Sequence, residues 1–516
     1  MMVEIKRGAL YGLFSFLLSV LLTFLVLAQV GEEELVLVFV EGSDIDTLDP
    51  QITRSRPTEI VLEHVFNKLV KWRDTMLSAI VGDLAKSWEV SEDGLTWRFY
   101  LREGVYFHDG TIFNAESVKV TIERMLDPAT ASPNRALFAN ISEVIICNDF
   151  TVELRTRVPT ATLLENLAQS EAAMLSPTAV RKYGKDLGRH PVGTGPYIVE
   201  EWIPGERCVL VRNPNYFGDP PKPYKIVYRP VPDGSARVIE LEAGRAHIVN
   251  RIPPEEVERL RANPDIEILI LPSTFSVFFE LNNRLGKSPF ADVRVRQAVN
   301  YAVDKEAIVD VILKDLGRVS DSIFPPGVQF RKPLQPYPYD PDKAKKLLAE
   351  AGYPNGFKVT MWTCVGRYLK DFEVAQAVQA YLADVGIMAE LVPFEWAAYQ
   401  ATLYSPAVEN ADMWLLGTSF PTADWRVTRK YECGNPSNLT GYCDQEMEKL
   451  LTAGRTILDP GEREKIYHRI QEKVWEEAVW LYLYDQVQII GIRKGIQGLD
   501  AYSFEVLLFN NVSYKP

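Results

Sequence analysis

The chain has 516 residues, 56 basic against 69 acidic side chains, a formal net charge of −13 and a hydrophobic fraction of 47%. That fraction excludes general disorder, and the 31 glycines and 33 prolines show no collagen-like period. The acidic balance argues against a nucleic-acid partner, which needs surplus lysine and arginine to displace counterions; at roughly 100–200 residues per domain the chain holds two to four folding units.

In chain order, the first segment is a targeting sequence. Lys6 and Arg7 precede an uncharged run from Gly8 to Val30, and Val26-Leu27-Ala28 sets small residues at the −3 and −1 positions of a cleavage site after Ala28. This is the pattern of a secretory signal peptide; an uncleaved anchor is the alternative, because an apolar run of about 20 residues spans a bilayer. No cysteine lies near the junction, so nothing points to a lipid-anchored start. The expected mature protein is soluble and exported.

Leu35 to Val40 is a continuous apolar run, as expected of a strand buried on both faces. Thr96 to Leu101 and Val105 to Phe107 read as a hairpin, and Asn114 can cap the helix that follows. Asp340 caps a better-marked helix, with Pro341 in its first turn, Leu347 and Leu348 on its buried face and Gly352 past its end. From Val359 to Leu416 the pattern is strand, helix, strand, helix, strand. Crossovers of that length require a parallel sheet covered by helices, with ligands at the carboxyl ends of the strands, after Thr363 and after Trp414. The expected fold class is α/β.

Catalytic signatures are missing. None of the five histidines belongs to a His-Glu-x-x-His helix, and there is no Gly-x-Ser-x-Gly elbow. Gly193-Thr194-Gly195-Pro196-Tyr197 lacks the third glycine and the lysine of a phosphate loop and reads as a tight structural turn. The cluster Asp44, Asp46 and Asp49 lacks the turn glycine and closing glutamate of a calcium loop. No cysteine or histidine spacing suggests a metal, and no cofactor is called for. Of the five cysteines, Cys433 and Cys443 bracket a segment that must turn; an oxidising compartment would allow a disulfide there, two free thiols being the alternative. Cys147, Cys208 and Cys364 read as isolated buried thiols.

Several segments resemble the family 5 extracellular solute-binding proteins, the peptide-, nickel- and oligosaccharide-binding subunits of ABC importers. They are Leu101-Arg102-Glu103-Gly104-Val105-Tyr106-Phe107-His108-Asp109-Gly110-Thr111; His190 to Tyr197 followed by Arg212-Asn213-Pro214-Asn215-Tyr216; Val293 to Ala298 with Tyr301 to Lys305; Tyr339-Asp340-Pro341 through Leu347 to Tyr353; and Gly441-Tyr442 with Leu450-Leu451. They run in family order through nearly the whole mature chain.

The resemblance implies a two-lobed receptor of the large periplasmic-binding-protein class with an extra domain, closing on its ligand by a hinge. Lobe I would comprise 29–52, 190–283 and 486–516, with the extra domain at 53–189 packed on it, and lobe II 284–485. Partners would be a peptide or small solute and the transmembrane permease subunits, the receptor itself a monomer. For the site, the resemblance points to Trp414, Gly417, Thr418 and Ser419 at a strand end, and to Arg367 as an arginine that clamps a ligand carboxylate, a surface or interlobe salt bridge being its other reading. In peptide-binding relatives an aspartate at the position of Gly417 holds the peptide ammonium; Asp424, before Trp425, is the candidate substitute, and Asp44 a candidate on the facing lobe. Trp362, Trp396, Trp414 and Trp425 all fall in the expected lobe II, either at the ligand or in its core. Three readings follow: a receptor for peptides or peptide-like carboxylates, favoured by Arg367; an oligosaccharide receptor, favoured by the missing aspartate and the tryptophans; and a secreted hydrolase with a carboxylate pair.

Overall fold

The computed structural model describes residues 35–515 except 54, 78, 285, 287, 420 and 421, together with all side chains in that range except Ala397. The segment read as a signal peptide lies outside the described residues. Among the described residues, no helix is long and apolar enough to cross a membrane.

One eleven-stranded sheet organises the molecule. Its strands are β1 (Val36–Glu41), β2 (Tyr197–Ile203), β3 (Arg207–Arg212), β4 (Lys225–Pro230), β5 (Ile248–Asn250), β6 (Ile266–Leu281), β7 (Gly317–Val319), β8 (Phe357–Val365), β9 (Ile387–Glu395), β10 (Met413–Thr418) and β11 (Trp480–Arg493). They lie in the order β9-β8-β10-β6-β11-β5-β1-β4-β3-β2, with β7 on the edge of β11. β8 runs parallel to both β9 and β10, and β1 parallel to β4 and β5, as helix-length crossovers demand. The apolar run Leu35–Val40 falls on β1, and the three strands expected between Val359 and Leu416 are β8, β9 and β10.

β6 and β11 are long enough to belong to both halves. Ile266–Pro272 pairs with Val487–Arg493 beside β5, and Ser276–Glu280 pairs with Trp480–Asp485 beside β10. Between the two stretches the register is interrupted from Pro272 to Ser276. A ladder broken on crossing strands bends more easily than a continuous one, so the interruption is where rotation of one half against the other costs least. Each half has its own apolar core. One gathers Phe275 to Tyr484, and another joins β1, β3 and β4 to the C-terminal segment through Phe39, Tyr228 and Phe509.

A separate four-stranded antiparallel sheet takes Ala85–Val90, Thr96–Leu101, Thr151–Thr156 and Ile141–Asn148, with its own core around Phe99, Phe113 and Leu154. Here the expected hairpin is corrected. Both edges of Thr96–Leu101 are occupied by its sheet neighbours, so Val105–Phe107 cannot pair with it. That segment instead folds on itself through a Tyr106–Ile112 bridge and buries Val105 and Phe107.

The caps are where the sequence placed them. The Asn114 side chain accepts from Glu116 N at the start of Ala115–Leu126, and Asp340 accepts from Lys343 N at the start of Pro341–Glu350. Of the two leucines expected on the buried face of that second helix, Leu348 is buried and Leu347 only partly. Gly193 and Gly195 press on the end of the helix Arg56–Val65 so closely that a Cβ on either would come within 2.6 Å of Val65 O. Cys433 and Cys443 are bonded to each other, Cys208 and Cys364 are buried thiols, and Cys147 is exposed rather than buried.

Candidate functional site

A cavity of about 270 Å³ opens where the two halves of the sheet meet. One wall comes from the segments after β4 and β5, the other from the loop after β8, and β11 and the C-terminal segment close the floor. These are carboxyl ends of parallel strands, where adjacent connections diverge and leave a crevice.

The loop after β8 owes its shape to one carboxylate. Asp371, first residue of the helix Asp371–Asp384, accepts the backbone N–H groups of Gly366 (3.0 Å), Arg367 (2.8 Å) and Tyr368 (3.0 Å). That arrangement fixes Arg367 at the cavity. Its guanidinium lies 5.6 Å from the Phe275 ring centre and 5.2 Å from those of Tyr368 and Trp396. Its Nη1 has no hydrogen-bond partner among the described residues. Burial, then the neighbouring Arg251, hold its pKa below the ordinary arginine value. The side chain as a whole is half-buried on the cavity wall, and its enclosed Nη1 is left without a hydrogen bond.

The opposite wall is already neutralised. Arg251 adopts a left-handed backbone (φ 58°), and its Nε lies 3.1 Å from Glu41 Oε1, on a carboxylate wholly buried at the end of β1. Burial works against the Arg251 charge, but Glu41 and Glu505 outweigh it and raise its pKa. Glu505 accepts from Ser273 Oγ (3.1 Å) and Gln486 Nε2 (2.8 Å). Lys370 pairs with Glu255 across the cleft at 2.8 Å.

Of the residues that the sequence marked, Arg367 is the one that lines this cavity. Trp414 does not: it is fully buried in β10, and its Nε1 donates to Glu280 Oε2 at 2.8 Å, so it is a core residue. Gly417 lies beneath Phe275. Ser419 shares a 3.1 Å hydrogen bond with Thr274, its carbonyl accepts from Arg56 Nη2, and Thr418 Oγ1 is buried without a hydrogen-bond partner among the described residues. Asp424 does not reach the cavity as an amine anchor; its Oδ1 accepts from Thr428 Oγ1 (3.2 Å) and Tyr467 Oη (3.3 Å) inside its own half. Trp425, on the same helix, is buried with the Arg429 guanidinium 5.6 Å from its ring. Asp44 holds a turn by accepting the N–H groups of Ile45 and Gly205. Asp46 is occupied by Thr53 and Thr58, and Asp49 by Arg124. Among the described residues no group of three His, Cys, Asp or Glu side chains could hold a metal ion.

Four residues of the site carried no warning in the sequence: Glu41, Arg251, Phe275 and Glu505. Only Asp371, four positions after Arg367 and opening a helix, had a local signal.

The geometry defines a two-lobed α/β protein with a polar cavity between its lobes. The family model of the bacterial extracellular solute-binding proteins, family 5 Middle, matches residues 79–438, and the chain belongs to that family. It is 32% identical over 466 residues to the glutathione-binding protein GsiB of Shigella flexneri, covering 89% of this chain and 90% of the relative; the Escherichia coli K12 GsiB gives the same figures. Among solved structures it resembles the periplasmic binding protein DppA of Helicobacter pylori in complex with the peptide STSA. That match has a TM-score of 0.83 and 27% identity, over 92% of this chain and 98% of the other. MoaA of A. tumefaciens R10 in complex with mannopinic acid also matches, with a TM-score of 0.83 and 27% identity over 93% and 99% of the two chains.

Proposed function

We propose that this chain is the extracytoplasmic receptor of an ABC importer. It encloses a small peptide or peptide-like carboxylated solute between its lobes and passes it, chemically unaltered, to the permease. The lobes would be 29–52 with 190–283 and 486–516 on one side and 284–485 on the other, with 53–189 packed on the first. The observation that carries this reading is the half-buried Arg367 guanidinium on the cavity wall with its enclosed, unpartnered Nη1. A ligand carboxylate there supplies the missing counter-charge and a matching pair of acceptors. The glutathione, peptide and opine-acid ligands named for the relatives all carry carboxylates.

The oligosaccharide reading loses support, because sugars stack on accessible rings and the aromatic residue lining the cavity, Tyr368, is buried; Trp396 is partly exposed, but its ring lies 5.2 Å from the Arg367 guanidinium and it does not line the cavity. Trp362, Trp414 and Trp425 are buried. The hydrolase reading loses support because the lining carboxylates Glu505 and Glu255 are held by donors and cations and Asp233 caps a helix.

Calorimetry with glutathione, di- and tripeptides, and cello- and manno-oligosaccharides tests the assignment. Binding of a carboxylated peptide with no heat from the sugars is expected. Tight sugar binding with silent peptides, or turnover of any of these compounds, would sink it.

A further inference from the structure

A carbonyl oxygen shut away from water and met by no donor has lost its hydration and gained nothing in return. Two such oxygens lie at the floor of the cavity. Gln486 and Gln488 stand two apart on β11, so their side chains leave the same face of the strand, and both residues line the cavity. They are 7% and 4% exposed, and the Oε1 atom of each is enclosed without a hydrogen-bond partner among the described residues.

The orientation of both carboxamides is fixed by what their nitrogens meet. Gln486 Nε2 donates to Glu505 Oε1 at 2.8 Å, and a flipped amide would set carbonyl against carboxylate. Gln488 Nε2 donates to the main-chain carbonyls of Pro272 (3.1 Å) and Tyr502 (2.9 Å), where a flip would crowd three oxygens together. The two Oε1 atoms are therefore held as acceptors. A cation is a poor donor for them, because Arg237, Arg251 and Arg367 line the same cavity and repel it. The lining carboxylates Glu505 and Glu255 are already engaged by Arg251 and Lys370. What the two oxygens can take is an uncharged N–H.

We propose that Gln486 and Gln488 read the peptide N–H groups of the solute while Arg367 takes its carboxylate. The solute is then a carboxylate that carries uncharged N–H donors, a peptide or an acylated amino acid, and not a carboxylate whose chain has none. This rests on the carboxylate-receptor reading proposed above and adds a second requirement to it. A site with enclosed acceptors rejects an isostere that lacks the donors, because the isostere leaves them unmet and sets its own oxygens against them.

Calorimetry with Ala-Ala-Leu, the analogue in which ester oxygens replace both peptide N–H groups, and Ala-Ala-Leu amide tests the two levels separately. The ester analogue keeps both charged ends and should bind more weakly than the peptide by about tenfold or more. Equal affinities of peptide and ester overturn the inference, and are the result if enclosed water already satisfies the two oxygens. The amide binding as well as the acid overturns the carboxylate reading instead, and the ester comparison still decides this one; silence from all three overturns both. As a second measurement, Gln486→Met and Gln488→Met keep the length of the side chain and remove the acceptor. In the folded variants the preference for peptide over ester should shrink towards one, a ratio that a general loss of fit does not move. A preference unchanged in both variants also overturns the inference.

Discussion

Arg251 Nη1 donates a 3.0 Å hydrogen bond to the main-chain carbonyl of Arg367, tying the end of β5 to the loop after β8 across the cleft. The same guanidinium neutralises Glu41 and lies 3.7 Å from Glu505. Arg251→Leu therefore removes a cross-cleft tie and leaves a wholly buried carboxylate without its cation. Urea unfolding should show a loss of about 3–5 kcal/mol. A loss below about 1 kcal/mol, the worth of an exposed pair, would mean that the guanidinium is dispensable.

Arg367→Ala should weaken a carboxylated ligand by about 2–5 kcal/mol, because one partner of a buried charge pair is lost. Arg367→Lys keeps the charge but not the planar two-pronged donor, so it should recover only part of the loss. Equal affinities for wild type and the alanine variant would remove Arg367 from the site.

Glu280 and Lys430 form a buried pair at 2.7 Å, and Trp414 completes the carboxylate's hydrogen bonding. Lys430→Met strands a buried anion and should destabilise by about 3–5 kcal/mol, whereas Lys430→Met/Glu280→Leu should regain much of that, since an apolar replacement removes the charge that needed solvation. Thermal unfolding of the two variants side by side decides it.

Glu59 is buried among Arg56, Glu63, Lys68 and Glu171, with Arg429 also acting on Glu171. Burial, reinforced by Glu171 and Glu63 against Arg56, raises the Glu59 pKa from 4.5 to about 8. The folded chain thus keeps a proton that the unfolded chain releases, so the contribution of Glu59 to stability is fullest below 4.5 and is lost as pH rises towards 8, while His64 and His108, held at about 4 by burial, contribute in the opposite direction up to about 6.5. Relative to wild type, the melting temperature of Glu59→Gln should rise as pH rises across that window. A difference between the two curves that does not change with pH would contradict the assignment.

Cys433 and Cys443 close a loop with a sequence separation of 10. Replacing both by alanine should lower stability by about 2–3 kcal/mol through the entropy returned to the unfolded chain. Reductant should lower the wild-type melting temperature and leave the variant's unchanged.

Much of the scaffold was legible locally. Strands buried on both faces are apolar runs, which marked β1, β8 and β10; the edge strand β9 was marked by its extended pattern after Gly386, and the capping residues Asn114 and Asp340 marked helix starts. The hairpin after Leu101 was misread because a turn signal shows that a chain reverses, and not whether the strand before it still has a free edge. For the site, Arg367 was visible as an arginine just after a strand of a parallel sheet. Trp414 and Asp424 drew attention by residue type and position, but the direction of a side chain depends on what packs around it; here Glu280 and Tyr467 turn them inward.

By itself the sequence determined the α/β class, the parallel pairing of the strands that flank the crossovers, the helix caps and the family, since each rests on short-range pattern. Which charges face the cavity was decided only by tertiary structure. Glu41, Arg251, Phe275, Arg367 and Glu505 come from five separate stretches of chain, and whether each cation meets a carboxylate depends on contacts between residues far apart in sequence.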